Sequence, residues 1–315
     1  MLLLVLGTAA GGGIPQWNCA CSGCSGARAH PHRRRRHASL AVRSGDGRWY
    51  VVNATPDIGD QIEDRPELHP GPGRRQTPVA GVVLTDAELD HTLGIARLRE
   101  ADRLQVIATA PVRQALLDRL HLGAVLAPYT CVTWRELPRR GTEPLAGDMP
   151  GLPDADTSVL PTGDTSGLRI SGIPVSGKRP RYAADAPDDD AWVVALRLYD
   201  PSSGATALYA PALAAWPDRL QQAAAEADCV IVDGTFWDDE EPRRTGISAR
   251  TATGMGHLPI EGENGTAERL ARLSARCLYT HLNNTNPLVD PAASEHKKLA
   301  RLGIEVAYDG MVIEL

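Results

Sequence analysis

The chain has 315 residues, 43% apolar and 23% charged, a balance that supports a sizeable core and excludes wholesale disorder. A net charge of −6 and only 4% aromatic residues speak against nucleic-acid binding, whether by phosphate neutralisation or by base stacking. Thirty glycines and 24 prolines point to many loops rather than a helical bundle, and 30 arginines against three lysines reflect genome composition.

The first run, Met1-Leu-Leu-Leu-Val-Leu6, lacks a basic flank and stops at Gly7, so it reads as a buried first strand rather than a targeting signal. No apolar run approaches the ~18 residues of a membrane span, and the chain is expected in the cytoplasm. Further strands are expected at Ser39–Val42, Trp49–Val52, Val79–Leu84, Leu104–Ala108, Trp192–Leu198, Thr206–Tyr209, Cys229–Val232, Cys277–Thr280 and Met311–Ile313. Helix-like stretches lie at Thr92–Ala101, Val112–Leu120, Leu213–Ala225, Ala267–Ser274 and Ala292–Leu302. Early hairpins followed by alternating strands and helices fit two sheets with helices outside. One domain over 1–315 is expected, with Pro/Gly-rich excursions at 64–78 and 138–167 and an acidic loop at Arg179–Asp190.

Three thiols crowd Cys19-Ala-Cys21-Ser-Gly-Cys24 within a Gly-rich loop. Thiolates this close repel unless a cation holds them, which favours a structural zinc over a redox disulfide or free thiols. The fourth ligand stays open among His30, His32, His37 and a residue from the far end of the chain. Cys131, Cys229 and Cys277 sit in apolar surroundings and read as core. Arg33-Arg-Arg-Arg36 reads as a solvated basic stretch rather than a phosphate cradle.

Directly after the apolar run Val79–Leu84 comes Thr85-Asp-Ala-Glu-Leu-Asp-His91. Asp86, Glu88, Asp90 and His91 converge there on a strand's carboxyl end, where α/β proteins place ligands. Four ionisable groups in so small a space call for a counter-ion, and a divalent metal supplies one. A solvated turn is the plainer alternative.

Thr85-Asp-x-Glu-x-Asp-His-x-x-Gly94 resembles the His-x-His-x-Asp-His-x-x-Gly turn of the metallo-β-lactamase superfamily, with both leading histidines replaced by acids. Three further motifs narrow the resemblance to the family of pyrroloquinoline quinone (PQQ) biosynthesis B proteins. They are Gly7-Thr-Ala-Ala-Gly-Gly-Gly-Ile-Pro-Gln-Trp-Asn-Cys-x-Cys-x-x-Cys24, Asp233-Gly-Thr-Phe-Trp-Asp-Asp-Glu240 with Met255-Gly-His-Leu-Pro-Ile260, and Thr280-His-Leu-Asn-Asn-Thr-Asn-Pro287. The match spans nearly the whole chain.

The resemblance implies an α/β fold, a metallo-β-lactamase-like αββα sandwich of two mixed sheets flanked by helices. It implies that Asp90, His91 and His281 hold an active-site metal, with His257 beside it as an acid or anchor. Asp233 would line the pocket or sit in a surface turn. Asp86 and Glu88 would support the ligands or touch substrate. Asn283 would orient substrate, and Asn284 lies where a related family places the fourth ligand of its structural zinc. The superfamily's third histidine is missing around Ile173-Pro-Val-Ser-Gly-Lys178, and Tyr209-Ala-Pro211 stands in place of its bridging aspartate, which argues against two-zinc hydrolysis.

Two histidines and one carboxylate form the ligand set of mononuclear non-haem iron(II) oxygenases, although zinc, manganese and copper tolerate it too. The resemblance therefore implies iron-dependent, O₂-using hydroxylation of the tyrosine ring of a Glu–Tyr-derived PQQ precursor. A carrier of PQQ or its precursor toward the periplasm ranks second and a metallohydrolase third. Partners would be the small-molecule precursor or PQQ, other proteins of the pathway, and a second copy in a homodimer.

Overall fold

In the computed structural model the described residues are 1–45, 47–145 and 167–315. They form two seven-stranded mixed sheets. In spatial order the first is β14 (Val312–Glu314), β1 (Leu2–Gly7), β2 (Ser39–Arg43), β3 (Trp49–Val52), β4 (Val79–Val83), β5 (Arg103–Ala108) and β6 (Cys131–Glu136). The second is β13 (Ile304–Val306), β12 (Arg276–Thr280), β11 (Cys229–Asp233), β10 (Thr206–Ala210), β9 (Val193–Tyr199), β8 (Arg169–Ser176) and β7 (Glu143–Pro144). Each sheet is antiparallel on one side and parallel on the other, where β3 to β6 and β10 to β13 run together.

Residue alternation fixes the layers. In β11, Cys229 and Ile231 point between the sheets, where they meet Leu3, Val5, Leu40, Tyr50 and Leu196. Val230 and Val232 point outward to Leu220 and Ala223 of helix α6 (Asp218–Ala225) and to Leu299 of α10 (Glu295–Arg301). The first sheet does the same with Val82, Leu84 and Val106 against Val112, Ala115 and Leu116 of α4 (Ala110–Asp118). Burial on both faces explains the unbroken apolar runs of β4 and β11. The result is the αββα sandwich. Beyond β1 the chain bridges both sheets, Ala9 pairing with His37 on one side and Leu282 on the other.

Several expectations are corrected. The helix expected at Thr92–Ala101 is instead one turn, α3 (Leu89–Thr92), followed by a 3₁₀ run at Leu93–Leu98. Gly94 explains the tightness, because a Cβ there would meet the Thr55 carbonyl oxygen at 2.0 Å. The stretch Leu213–Ala225 becomes helical only after Pro217, and Ala267–Ser274 shortens to Ala267–Leu270. Strands β6, β8 and β13 had no clear signal. In β8, Pro174 precedes a register shift before Ser176, and Gly172 weakens the pattern. Cys131 is exposed on the edge strand β6 and is not core, whereas Cys229 and Cys277 are buried.

The arginine run keeps the solvent contact expected of a basic stretch, with Arg34 exposed and Arg33, Arg35 and Arg36 partly so, but each guanidinium also has a protein partner. Arg33 pairs with Asp290, Arg34 reaches the Ala27 carbonyl, the half-buried Arg35 donates to Thr8 Oγ1 and the Ala307 carbonyl, and Arg36 pairs with Asp60 and Asp64. Of the excursion expected at 138–167, residues 146–166 lie outside the described residues. No helix among the described residues is long and apolar enough to cross a membrane.

Candidate metal centre

The carboxyl ends of β4, β11 and β12 meet at one edge of the sandwich, and each delivers part of the site. After β4, Thr85 is held by the buried Asn53 side chain, whose Oδ1 accepts the Thr85 N–H at 3.0 Å. Thr85 Oγ1 donates to Asp86 Oδ2 at 2.8 Å, and Asp86 Oδ1 accepts the Glu88 N–H at 2.9 Å. Asp86 Oδ2 also receives His91 Nδ1 at 2.7 Å, which fixes the proton of this imidazole on Nδ1 and leaves Nε2 as an acceptor. His91 Nε2 is buried and has no hydrogen-bond partner. It faces Asp90 Oδ2 at 3.8 Å.

The second arm starts at Asp233, which is fully buried at the end of β11. Its Oδ2 accepts the Leu213 N–H at 2.8 Å and His257 Nδ1 at 2.7 Å, and its Oδ1 accepts the Thr235 N–H and hydroxyl at 2.9 and 2.5 Å. Four donors saturate the carboxylate, so Asp233 orients His257 rather than forming a surface turn. Thr235 Oγ1 gives its proton to Asp233 and therefore accepts from His281 Nδ1 at 2.8 Å. His281 follows β12 with φ of 58° and turns its Nε2 toward Asp90 Oδ2 at 3.9 Å. Its ring stacks on His257 at 5.8 Å and meets His91 edge-on at 5.5 Å.

Asp90, His91 and His281 thus place one carboxylate oxygen and two imidazole nitrogens within 4.8 Å of one another. Burial disfavours charge on His91, but the Asp86 and Asp90 carboxylates outweigh it and raise its pKa to about 9. Burial likewise opposes charge on Asp90, and attraction from His91 and His281 overrides it to hold the carboxyl well below the usual range. A proton on His91 and a divalent cation are therefore alternative ways of neutralising the same acids. The orphaned, buried Nε2 is the feature that a metal would satisfy.

Around this centre, Glu88 is half-buried, and burial and repulsion from Asp86 raise its carboxyl. Lys178 Nζ lies 3.9 Å from Glu88 Oε1. Asn283 turns away from the centre, its Nδ2 donating to Thr285 Oγ1 at 2.6 Å. That hydroxyl in turn donates to the buried Glu241 at 2.6 Å. Thr235, Asn53 and Glu241 were not singled out in the sequence. Only Thr235 carries a usable signal, as a hydroxyl two residues after an acid that closes a buried strand. Tyr209, at the place of the missing bridging aspartate, is buried in the core between the sheets.

The cysteines form a separate cluster, with Sγ atoms of Cys19, Cys21 and Cys24 within 4.8 Å of one another. Helix α1 (Ser22–Ala29) rises inside what reads as a loop, and Cys21 caps it by accepting the Cys24 N–H at 3.5 Å. The Gln16 N–H and Asn284 Nδ2 each reach Cys24 Sγ at 3.3 Å, and the Cys21 N–H reaches Cys19 Sγ at 3.5 Å. Such donors suit thiolate sulfur. The Cys21 N–H lowers the Cys19 pKa against the effect of burial, while burial raises that of Cys21 to about 11. His30 and His32 face each other at 5.8 Å, and His37 pairs with Asp57 at 3.2 Å, so none of the three joins the thiols. Asn284 does come to them. Helix residue Gly23 is what admits it, since a Cβ there would meet the Asn284 carbonyl oxygen at 2.1 Å.

The two facing mixed sheets and the acid–histidine turn at one edge define a β-lactamase superfamily domain, and the model of that family matches residues 48–282. Within it, the chain belongs to the coenzyme PQQ synthesis protein B family. It is 40% identical over 320 residues to the protein of that name from Azoarcus sp. (strain BH72), covering all of both chains. It is 41% identical over 321 residues to the one from Cupriavidus necator, covering 99% and 98% of the two chains. The crystal structure of Zn(2+)-bound PqqB from Methylobacterium extorquens superposes with a TM-score of 0.84 at 31% identity over the full length of both chains. A diphosphatase of the PhnP family shares the fold alone, with a TM-score of 0.65 at 18% identity over 100% of this chain and 97% of the other.

Proposed function

We propose that this chain acts in PQQ biosynthesis as an iron(II)-dependent hydroxylase of the tyrosine ring of a Glu–Tyr-derived precursor, with the metal held by Asp90, His91 and His281. The observation that carries this reading is the buried, unpartnered His91 Nε2, converging with His281 Nε2 on the Asp90 carboxylate. Asp90, His91 and His281 would hold the ion through two nitrogens and one oxygen, and bound iron(II) would supply O₂ activation there. The ring C–H becomes C–OH, one oxygen atom of O₂ entering the ring and the other leaving as water, with two electrons from an external reductant and two protons from solvent.

The chain's own groups do the rest. Asp86 locks the His91 ring and its tautomer. Asp233 holds Nδ1 of His257, so that Nε2 of that ring is free to take the phenol proton. The saturated Asp233 carboxylate and the absence of acid at Tyr209-Ala-Pro211 weigh against a two-metal hydrolase. The relatives' shared name supports the pathway, and the zinc-bound relative supports a divalent metal in the family. We assign a structural zinc to Cys19, Cys21 and Cys24, with Asn284 as its neighbour and candidate fourth ligand.

Anaerobic iron(II) reconstitution with elemental analysis tests this reading. The wild type should hold one zinc and one iron and should hydroxylate the precursor. Cys21→Ser should lose the zinc, and His91→Ala should lose the iron and the activity. Full hydroxylation by His91→Ala would overturn the assignment. Tight PQQ binding by protein with no metal responding to His91 would point to the carrier instead.

A further inference from the structure

We infer that Lys178 anchors a carboxylate of the substrate, so that the site selects an aromatic amino-acid derivative with a free α-carboxylate on the tyrosine side over its decarboxylated counterpart. The inference rests on the proposed reading, in which the phenol ring lies at the metal centre.

Among the described residues, the cationic groups within ion-pair distance of Asp86, Glu88 and Asp90 are His91, His281 and Lys178. The two histidines are committed to the metal. Among the described residues, Lys178 is therefore the cation within ion-pair distance of these acids left over to meet a ligand. It follows β8 in the second sheet and is exposed. Nζ donates to the Met255 carbonyl at 2.8 Å, two residues before His257, and its stem lies against Gly256. The same Nζ stands 3.9 Å from Glu88, two residues before Asp90, so the side chain spans from one rim of the site to the other.

An ammonium has three donors. One goes to Met255, and the Glu88 contact is too long for a hydrogen bond. Two protons are thus available to a carboxylate arriving at the mouth. A metal dication with three carboxylates around it leaves this edge of the site acidic, so an anionic substrate needs a local cation to approach. A lysine on a flexible stem can swing from a weak partner to a strong one without disturbing the ligands.

The test is calorimetric binding of two probes to the full-length, metal-loaded protein under anaerobic conditions, the dipeptide Glu–Tyr and Glu–tyramine. The wild type should prefer Glu–Tyr by about 10- to 100-fold, the effect of one charge-assisted hydrogen-bonded pair. Lys178→Met, which keeps the stem, should erase the preference by weakening Glu–Tyr alone, and Lys178→Arg should restore most of it. Absence of a preference in the wild type would overturn the anchor. So would equal weakening of both probes in Lys178→Met, which would mean that Lys178 acts only by holding the Met255 loop. Iron content is measured on the same samples. Failure of the wild type to take up iron that depends on Asp90, His91 and His281, with the preference for Glu–Tyr retained, would defeat the oxygenase reading and leave the anchor standing.

Discussion

Two aspartate–imidazole pairs flank the candidate centre, one from each sheet, and they are built almost alike. Asp86–His91 and Asp233–His257 both close at 2.7 Å, both start from a buried acid at the end of a central parallel strand, and both carboxylates take a threonine hydroxyl. Their surroundings differ. His91 lies five residues after its acid on a one-turn helix, is buried, and points its free nitrogen at a third acid, Asp90. His257 comes 24 residues after its acid and is half-buried. On the proposed reading the same unit serves as a metal ligand where a further carboxylate and full burial favour a cation, and as a proton carrier at His257, although Asp233, His257 and His281 also bring ligand atoms within 4.8 Å of one another.

Removing each imidazole breaks the comparison most sharply. His91→Ala is expected to abolish iron binding at the centre and ring hydroxylation with it. His257→Ala should keep the iron and slow hydroxylation by about 100- to 10,000-fold. Metal analysis beside single-turnover rates separates the two, and equal metal loss in both variants would make them one ligand set. Substituting the acids is a milder probe. Asp86→Asn should weaken iron affinity by about 10- to 100-fold, whereas Asp233→Asn, which reaches His281 only through Thr235, should weaken it less and chiefly lower kcat with a shifted pH profile. Chelator competition and pH–rate curves read these outcomes.

The smallest expected effect lies under the second pair. Glu241 accepts the Trp237 N–H at 2.6 Å and the Thr285 hydroxyl at 2.6 Å, tying the Asp233 loop to the His281 loop. Burial raises its pKa to about 7 from 4.5, against the lowering effect of those two donors. A carboxyl raised on folding opposes ionisation. Its penalty is absent below pH 4.5 and grows as pH climbs through 7. Glu241→Gln should therefore flatten the fall of Tm between pH 5 and 8 by on the order of a few degrees. Parallel Tm curves for variant and wild type would remove Glu241 from this role.

The first pair was legible in the sequence and the second only half so. A run of acids directly after an apolar strand cannot be ordinary core, which is why Asp86, Asp90 and His91 stand out. Asp233 also ends an apolar strand, but an acid before glycine is equally the mark of a surface turn, and its partner is far along the chain. Thr235, which bridges Asp233 and His281, looks like any loop threonine until the fold brings 235 and 281 together. Strands rich in valine and leucine were readable because both their faces are covered. β8 was obscured by Gly172 and Pro174, and β6 by its place at a sheet edge, where exposure removes the apolar pattern and leaves Cys131 in solvent.

The bridge that Ala9 makes to both sheets bears on how the molecule comes into being. Ala10 N–H bonds to the Leu282 carbonyl, Leu282 N–H returns to Thr8, and Thr8 Oγ1 reaches Asp309. Although β1 can pair with β2 early, residues 8–10 gain their full set of partners only once segments near the other terminus exist. The proposed ligands at 90, 91 and 281 lie in opposite halves of the chain, so no early fragment would hold a complete centre. Such long-range pairing makes for slow folding, and loading of a metal at the proposed centre would follow synthesis and collapse rather than guide them.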